Sequence, residues 1–255
     1  MSLSVACVQF DIQWHDKPAN HARVRSLLAS ARVLPGSLVV LPEMFDVGFT
    51  MDTGVAQDEP IGPTGRFLSE LASELKSTVI AGYVGQDDAG RPVNQAGVFS
   101  PEGRRVGRYI KTYPFGPGGE DKHYAAGHGP ELFELDGVIV APMICYDLRF
   151  PELFRTARER GAELFVLIAN FPASRVEHWL TLARARAIEN QAWMIAVNRI
   201  GKDPTTSYIG RTVVIEPQGT IVADAGSSES VLKAEIDVNA ARTWREQFPV
   251  WRDVR

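Results

Sequence analysis

The chain reads as an α/β protein in which mixed sheets are covered by helices. Three observations predict it. Short, fully apolar runs alternate with amphipathic, helix-length stretches, the pattern of strands buried on both faces. Hairpin-like segments interrupt that alternation, so the sheets are mixed rather than purely parallel. The 255 residues, 45% hydrophobic and 23% charged, are enough to bury well over half of the unfolded surface without covalent staples.

In order, "LSVACVQF" (3–10) is a strand. Residues 18–34 form a helix: Pro18 suits a first turn, and Val24, Leu27, Leu28 and Ala31 share one face. "SLVVLPE" (37–43) is a buried strand. Residues 62–76 form a second helix with Phe67, Leu68, Leu71 and Leu75 inward, and "TVIAGYV" (78–84) is a third strand. Residues 94–111 read as a hairpin turning at Pro101 to Gly103. The stretch 112–130, "TYPFGPGGEDKHYAAGHGP", lacks apolar periodicity, and long structureless loops in compact domains are often functional. A strand at 137–145, a helix at 151–160, a strand at 164–169, a helix at 176–190 and a strand at 192–200 follow. Further strands lie near 207–216, 219–224 and 231–236. With no linker or low-complexity tract, residues 1–255 are expected to form one domain, with a tail from about 239 carrying Trp244, Phe248 and Trp251.

Composition excludes several classes. The net charge is −4 and the 27 basic residues are scattered, so no nucleic-acid footprint is expected. Two cysteines do not make a disulfide scaffold. The start "MSLSVACVQF" has no basic, then long apolar, signal pattern, and no apolar run approaches the ~20 residues of a membrane helix. A cytoplasmic protein is expected. The five histidines show no metal-ligand spacing, there is no G-x-S-x-G elbow, and "GPGG" (116–119) lacks the G-K-[ST] of a phosphate loop. No metal or organic cofactor is implied.

Three residues end strands in the same way: Glu43 after "LVVLP", Lys111 after "RVGRYI" and Cys145 after "VIVAPMI". Ligands collect beyond the carboxyl ends of strands in α/β sheets. A thiol attacks a carbonyl carbon only after losing its proton, which a neighbouring carboxylate can accept. An ammonium and the Tyr146 N–H, at a sharp strand-to-helix turn, can hold the resulting oxyanion. Each residue singly has an ordinary structural explanation, and Cys7, inside an unbroken strand, is expected to be core.

The motifs "LPEMF" (41–45), "YIKTYPF" (109–115) and "CYDLRFPEL" (145–153) resemble the three blocks of the nitrilase, or carbon–nitrogen hydrolase, superfamily. "RARAIENQAWMIAVNRIG" (184–201) and "GRTVVIEPQGTIVADAG" (210–226) resemble its later segments, so the likeness spans nearly the whole chain. It implies a four-layer α-β-β-α sandwich and a Glu43–Lys111–Cys145 triad. It also implies a second loop glutamate, Glu120, positioning the thiol or the hydrolytic water. "CYDLRFPE" resembles the Nit branch, and "NFPASRVEHWLTLARARAIENQA" with "FPVWRD" is most similar to bacterial omega-amidases. These release ammonia from 2-oxoglutaramate or 2-oxosuccinamate through a thioester. Alternatives are a deaminated-glutathione amidase and, more distantly, an N-acyltransferase. One departure is "KTYPF", where such members usually read Lys-x-His-Leu-Phe; it bears on the loop and the substrate range.

A substrate of this class carries a distal carboxylate, for which the guanidinium of Arg149 is the candidate. The competing expectation is that Arg149 pairs with Asp147 or Glu152 and fixes the turn. Phe45, Phe49 and Phe171 are candidate walls of a small, dry pocket. The aromatic tail either packs on its own domain or, as the resemblance suggests, helps to form a homodimer or higher homo-oligomer.

Overall fold

Two six-stranded mixed sheets lie face to face, each covered on its outer side by helices. The computed structural model describes residues 2–58 and 62–253. The first half runs β1 (Ser2–Gln9), α1 (Lys17–Ala31), β2 (Leu38–Val40), α2 (Thr53–Ala56), α3 (Pro63–Leu75), β3 (Thr78–Gln86), β4 (Pro92–Phe99) and β5 (Arg105–Ile110). The second half runs β6 (Phe133–Leu135), β7 (Val138–Ile144), α4 (Pro151–Glu159), β8 (Leu164–Ala169), α5 (Val176–Asn190) and β9 (Trp193–Asn198). It closes with β10 (Ile200–Lys202), β11 (Ser207–Ile209), β12 (Val213–Ile215), β13 (Ile221–Asp224), β14 (Ser230–Asp237) and α6 (Val238–Gln247). One sheet has the order β14-β1-β2-β3-β4-β5 and the other β13-β12-β9-β8-β7-β6, with β10 and β11 as a separate ribbon.

Period-two alternation builds the layers. In β1, Leu3, Val5 and Cys7 face the other sheet, whereas Ala6 and Val8 meet Val24 and Leu28 of α1 and Leu68 and Leu71 of α3. Both faces are apolar, which is why these strands read as unbroken hydrophobic runs. Cys7 is fully buried there, and burial pushes its thiol up to about 12. It is core, as the sequence predicts.

Most elements fall within a few residues of their predicted bounds, and the differences have local causes. The first helix stops at Ala31 rather than residue 34 because Arg32 turns left-handed, with φ at 50°. The strand ends are shorter: β2 stops at Val40, so Glu43 stands three residues beyond it, and β7 stops at Ile144. The expected strand near 207–216 is two strands in different sheets, with β11 pairing β10 and β12 pairing β9. The 112–130 stretch contains two short 3-10 turns, at Gly116–Gly118 and Glu120–Lys122. The tail begins as α6, whose Arg242 bonds Glu163 at 2.5 Å and whose Arg245 reaches the carbonyls of Gln191 and Ala162 at 3.0 and 2.6 Å. Residues 254 and 255 of the tail lie outside the described residues.

Candidate active site

The three strand-end residues meet between the sheets. Lys111 follows β5, and its main-chain N–H donates to Asn94 O on β4 (2.9 Å), so the ladder delivers its side chain inward. The Lys111 Nζ donates to Glu43 Oε1 at 2.8 Å and to Glu120 Oε2 at 2.8 Å. All three side chains are within 1% of full burial. Phe49 lies against the ammonium, its ring centre 5.4 Å from Nζ.

Glu43 is held from both sheets. Its Oε1 also accepts from Asn94 Nδ2 (2.7 Å), and its Oε2 accepts from the Asn170 N–H (2.8 Å), beyond the end of β8 in the opposite sheet. Asn170 Nδ2 returns to the Glu43 carbonyl at 2.7 Å. Gly82 allows this approach: a side chain there would meet Glu43 Cα at 2.5 Å and Pro42 O at 2.9 Å.

The thiol stands on a sharp turn. Cys145 has φ at 48°, the left-handed region that costs an L-residue roughly 1–2 kcal/mol, and it opens a 3-10 turn over Cys145–Arg149. Tyr146 is second in that turn, so its N–H belongs to the donors that have no partner within it. Asp147 holds the turn closed. It accepts from the Ile144 N–H (2.9 Å), the Tyr113 N–H (3.0 Å) and Tyr109 Oη (2.7 Å), which ties the thiol's turn to the segment carrying Lys111.

Electrostatics sort the protons. Burial alone would raise the Glu43 carboxyl, but Lys111 and the donors Asn170 and Asn94 hold it below the ordinary glutamate value. Burial would lower Lys111, yet Glu120 and Glu43 push it well above the ordinary lysine range. The Cys145 thiol is pushed well up by burial and by the Glu43 carboxylate, with Lys111 opposing. At neutral pH the arrangement is carboxylate, ammonium and neutral thiol: a base beside a protonated nucleophile, with a cation close by.

Cys145 is half-buried and lines a cavity of about 340 Å³. Phe49, Phe115, Tyr146, Phe171, Arg149 and Arg175 also border it, with the β10–β11 ribbon (Thr205, Thr206, Tyr208) and Trp14 opposite. Two predicted wall residues, Phe49 and Phe171, are therefore in place. Phe45 is not: it is fully buried among His21, Phe67 and the α1/α3 core, because the chain turns at Met44 (φ 42°) and sends the ring outward through the first sheet's helical layer. Arg149 borders the cavity over the Phe171 ring and bonds His178 Nδ1 at 3.2 Å. The alternative pairings do not form among the described residues: Asp147 is taken by the turn, and Glu152 accepts from Tyr113 Oη at 3.1 Å. Glu120 bonds Lys111, Asn94 Nδ2 (2.8 Å) and the Phe115 N–H (2.5 Å), so it grips the lysine rather than the thiol.

Sequence reasoning missed Asn94 and Asn170, and offered Asp147 only as a partner of Arg149. Asn170 could have been found by the same strand-end rule, since it follows "LFVLIA" directly. Asn94 carries no such signal, because its role depends on which strand pairs with β5.

Comparison with known proteins follows the same lines. The carbon-nitrogen hydrolase family model matches residues 4–246. The chain is 36% identical over 256 residues to the omega-amidase YafV of Escherichia coli (strain K12), covering 98% of this chain and 96% of that protein. It is 31% identical over 256 residues to a 2-oxoglutaramate amidase of Bacillus subtilis (strain 168), covering 100% and 98%. Among solved structures, XC1258 from Xanthomonas campestris, a CN-hydrolase superfamily protein with an arsenic adduct in its active site, superposes with a TM-score of 0.93 at 32% identity. That match covers 100% of this chain and 98% of the other.

Proposed function

The chain belongs to the carbon–nitrogen hydrolase family, and on that footing we propose that it is an omega-amidase. It hydrolyses the terminal amide of a small 2-oxo acid, 2-oxoglutaramate or 2-oxosuccinamate, to the 2-oxo acid and ammonia. The observation that carries this is the buried Glu43–Lys111–Glu120 network set beside a half-buried thiol on the wall of a cavity bordered by two arginines. Full-length likeness to proteins named for this activity supports the choice of substrate.

Glu43, ionised and facing the thiol, takes its proton as sulfur attacks the amide carbon. Lys111 and the Tyr146 N–H hold the oxyanion; losing one such donor typically costs ~3 kcal/mol of transition-state stabilisation. Glu43 then passes that proton to the amide nitrogen, which leaves as ammonia; a water that Glu43 deprotonates hydrolyses the thioester, and the proton returns to the Cys145 sulfur. Glu120 acts on the reaction through Lys111, and Arg149, over the Phe171 ring, adds positive charge to the cavity wall. Phe49 and Phe171 shield the acyl-enzyme.

Ammonia release from 2-oxoglutaramate by the wild type and by Cys145→Ala tests the reading. Activity is expected in the first and background in the second. Turnover that survives Cys145→Ala would remove Cys145 as the nucleophile. A silent wild type that cleaves deaminated glutathione would move the substrate assignment to that larger amide.

The same reading makes the protein cytoplasmic, where a nucleophilic thiol stays reduced, and a homodimer. The exposed Phe248 and Trp251 of the tail are the apolar side chains offered for such pairing.

A further inference from the structure

The two arginines on the cavity wall are not equivalent. Arg149 is already engaged: its Nη2 lies 3.2 Å from His178 Nδ1, and its guanidinium lies over Phe171. The Arg175 guanidinium makes no hydrogen bond or ion pair among the described residues. Its guanidinium lies beside the Phe115 ring, 5.7 Å from Cζ to the ring centre. It is half-buried, it borders the same cavity as Cys145, and its five N–H donors are uncommitted.

Its position relative to the chemistry is fixed. Phe115 is tied through its main-chain N–H to Glu120, which grips Lys111. The Phe115 ring also packs edge-on against Tyr146, next to the thiol, with ring centres 4.9 Å apart. A guanidinium resting on that ring is thus referenced to both the nucleophile and the lysine. Among the described residues, the one acid bordering the cavity is Asp203, and its carboxylate is taken by the N–H groups of Thr205 and Thr206 and by Tyr208 Oη. Nothing on the wall competes for Arg175.

We propose that Arg175 is the specificity-determining residue of this site. Its planar fork receives the carboxylate at the far end of the amide substrate and selects anionic over neutral amides. The proposal rests on the amidase reading above and names the part of the site that chooses the substrate class. An unpaired fork fits a carboxylate two-to-two, a geometry a lysine cannot copy.

The experiment compares wild type, Arg175→Lys and Arg175→Gln on two amides of matched carbon-chain length: 2-oxoglutaramate and the neutral pentanamide. Arg175→Gln should raise KM for 2-oxoglutaramate by ~10- to 100-fold, the range of one charge-assisted pair, while kcat/KM for pentanamide stays within about 2-fold. Arg175→Lys should recover only part of the loss. An unchanged anionic-to-neutral preference in Arg175→Gln, or equal losses on both amides, overturns the proposal. A second readout does not depend on turnover: protection of Cys145 from iodoacetamide by 2-oxoglutarate, followed by mass spectrometry. Protection should hold in the wild type and vanish in Arg175→Gln. Equal protection in both, or none in the wild type, also overturns it. A wild type that turns over neither amide but shows Arg175-dependent protection would defeat the amidase assignment and leave the anion site standing.

Discussion

At the scale of single residues, the site works by opposing burial with charge. Lys111 is an ammonium between two buried carboxylates, and each oxygen facing it is also bonded by an amide or main-chain donor. Glu120 accepts from three donors: Lys111, Asn94 and the Phe115 N–H. Glu120→Gln would turn one of its oxygens into an NH₂ facing a donor, so the lysine's grip loosens while the fold's apolar core is untouched. A misplacement of about 1 Å at a catalytic group can cost on the order of 100-fold in rate. Steady-state kinetics on Glu120→Gln should therefore show kcat lowered ~10- to 100-fold with KM little changed. A variant with wild-type kcat would mean that Glu120 contributes nothing to the placement of Lys111.

At the scale of elements, the turn after β7 decides whether a cysteine packs in the core or lines the cavity. Cys7 and Cys145 both belong to apolar runs. Cys7 continues its strand into the inter-sheet core, whereas Cys145 turns left-handed and faces a cavity. Asp147 maintains that turn, and burial, offset in part by Lys111 and its hydrogen bonds, raises its carboxyl to about 7. The consequence for stability has a definite sign. Between about pH 4, where an unfolded aspartate loses its proton, and about 7, the folded chain retains a proton that the unfolded chain has released. Stability then falls as pH rises through that window, with an upper slope of ~1.4 kcal/mol per pH unit. Thermal unfolding of wild type and Asp147→Asn across the window should show a steeper decline in the wild type. Parallel curves would mean that Asp147 is ionised throughout, held so by its three donors.

At the scale of the whole molecule, the site exists because two sheets meet. Glu43 and Lys111 come from one sheet, and Cys145 and Asn170 from the other. The covering helices leave the mouth open beside the β10–β11 ribbon. At the C-terminal end, α6 is pinned by Arg242 and Arg245, and beyond it Phe248 and Trp251 stay exposed. Homodimer formation through this face predicts a dimer mass by light scattering at micromolar concentration and a shift to monomer in Phe248→Ser/Trp251→Ser. A monomeric wild type would remove that role from the tail.

Much was legible in the chain alone. Apolar runs and helical periodicity located most strands and helices, since both depend on local pattern. Glu43, Lys111 and Cys145 are legible as residues that follow strands, and the roles proposed for them rest on residue type. The tertiary structure decided which side chains converge. Phe45, four residues before Phe49, looked like an equal candidate for the pocket wall. A left-handed Met44 sends it to the opposite layer, and no local pattern encodes that direction. Asn94 enters through the pairing of β4 with β5, Asn170 through the stacking of the second sheet on the first, and Arg175 through the residues left beside it without a charge to meet. Those outcomes depend on contacts between positions as much as 127 residues apart, such as Asn170 with Glu43. Short-range periodicity carries no information about such contacts.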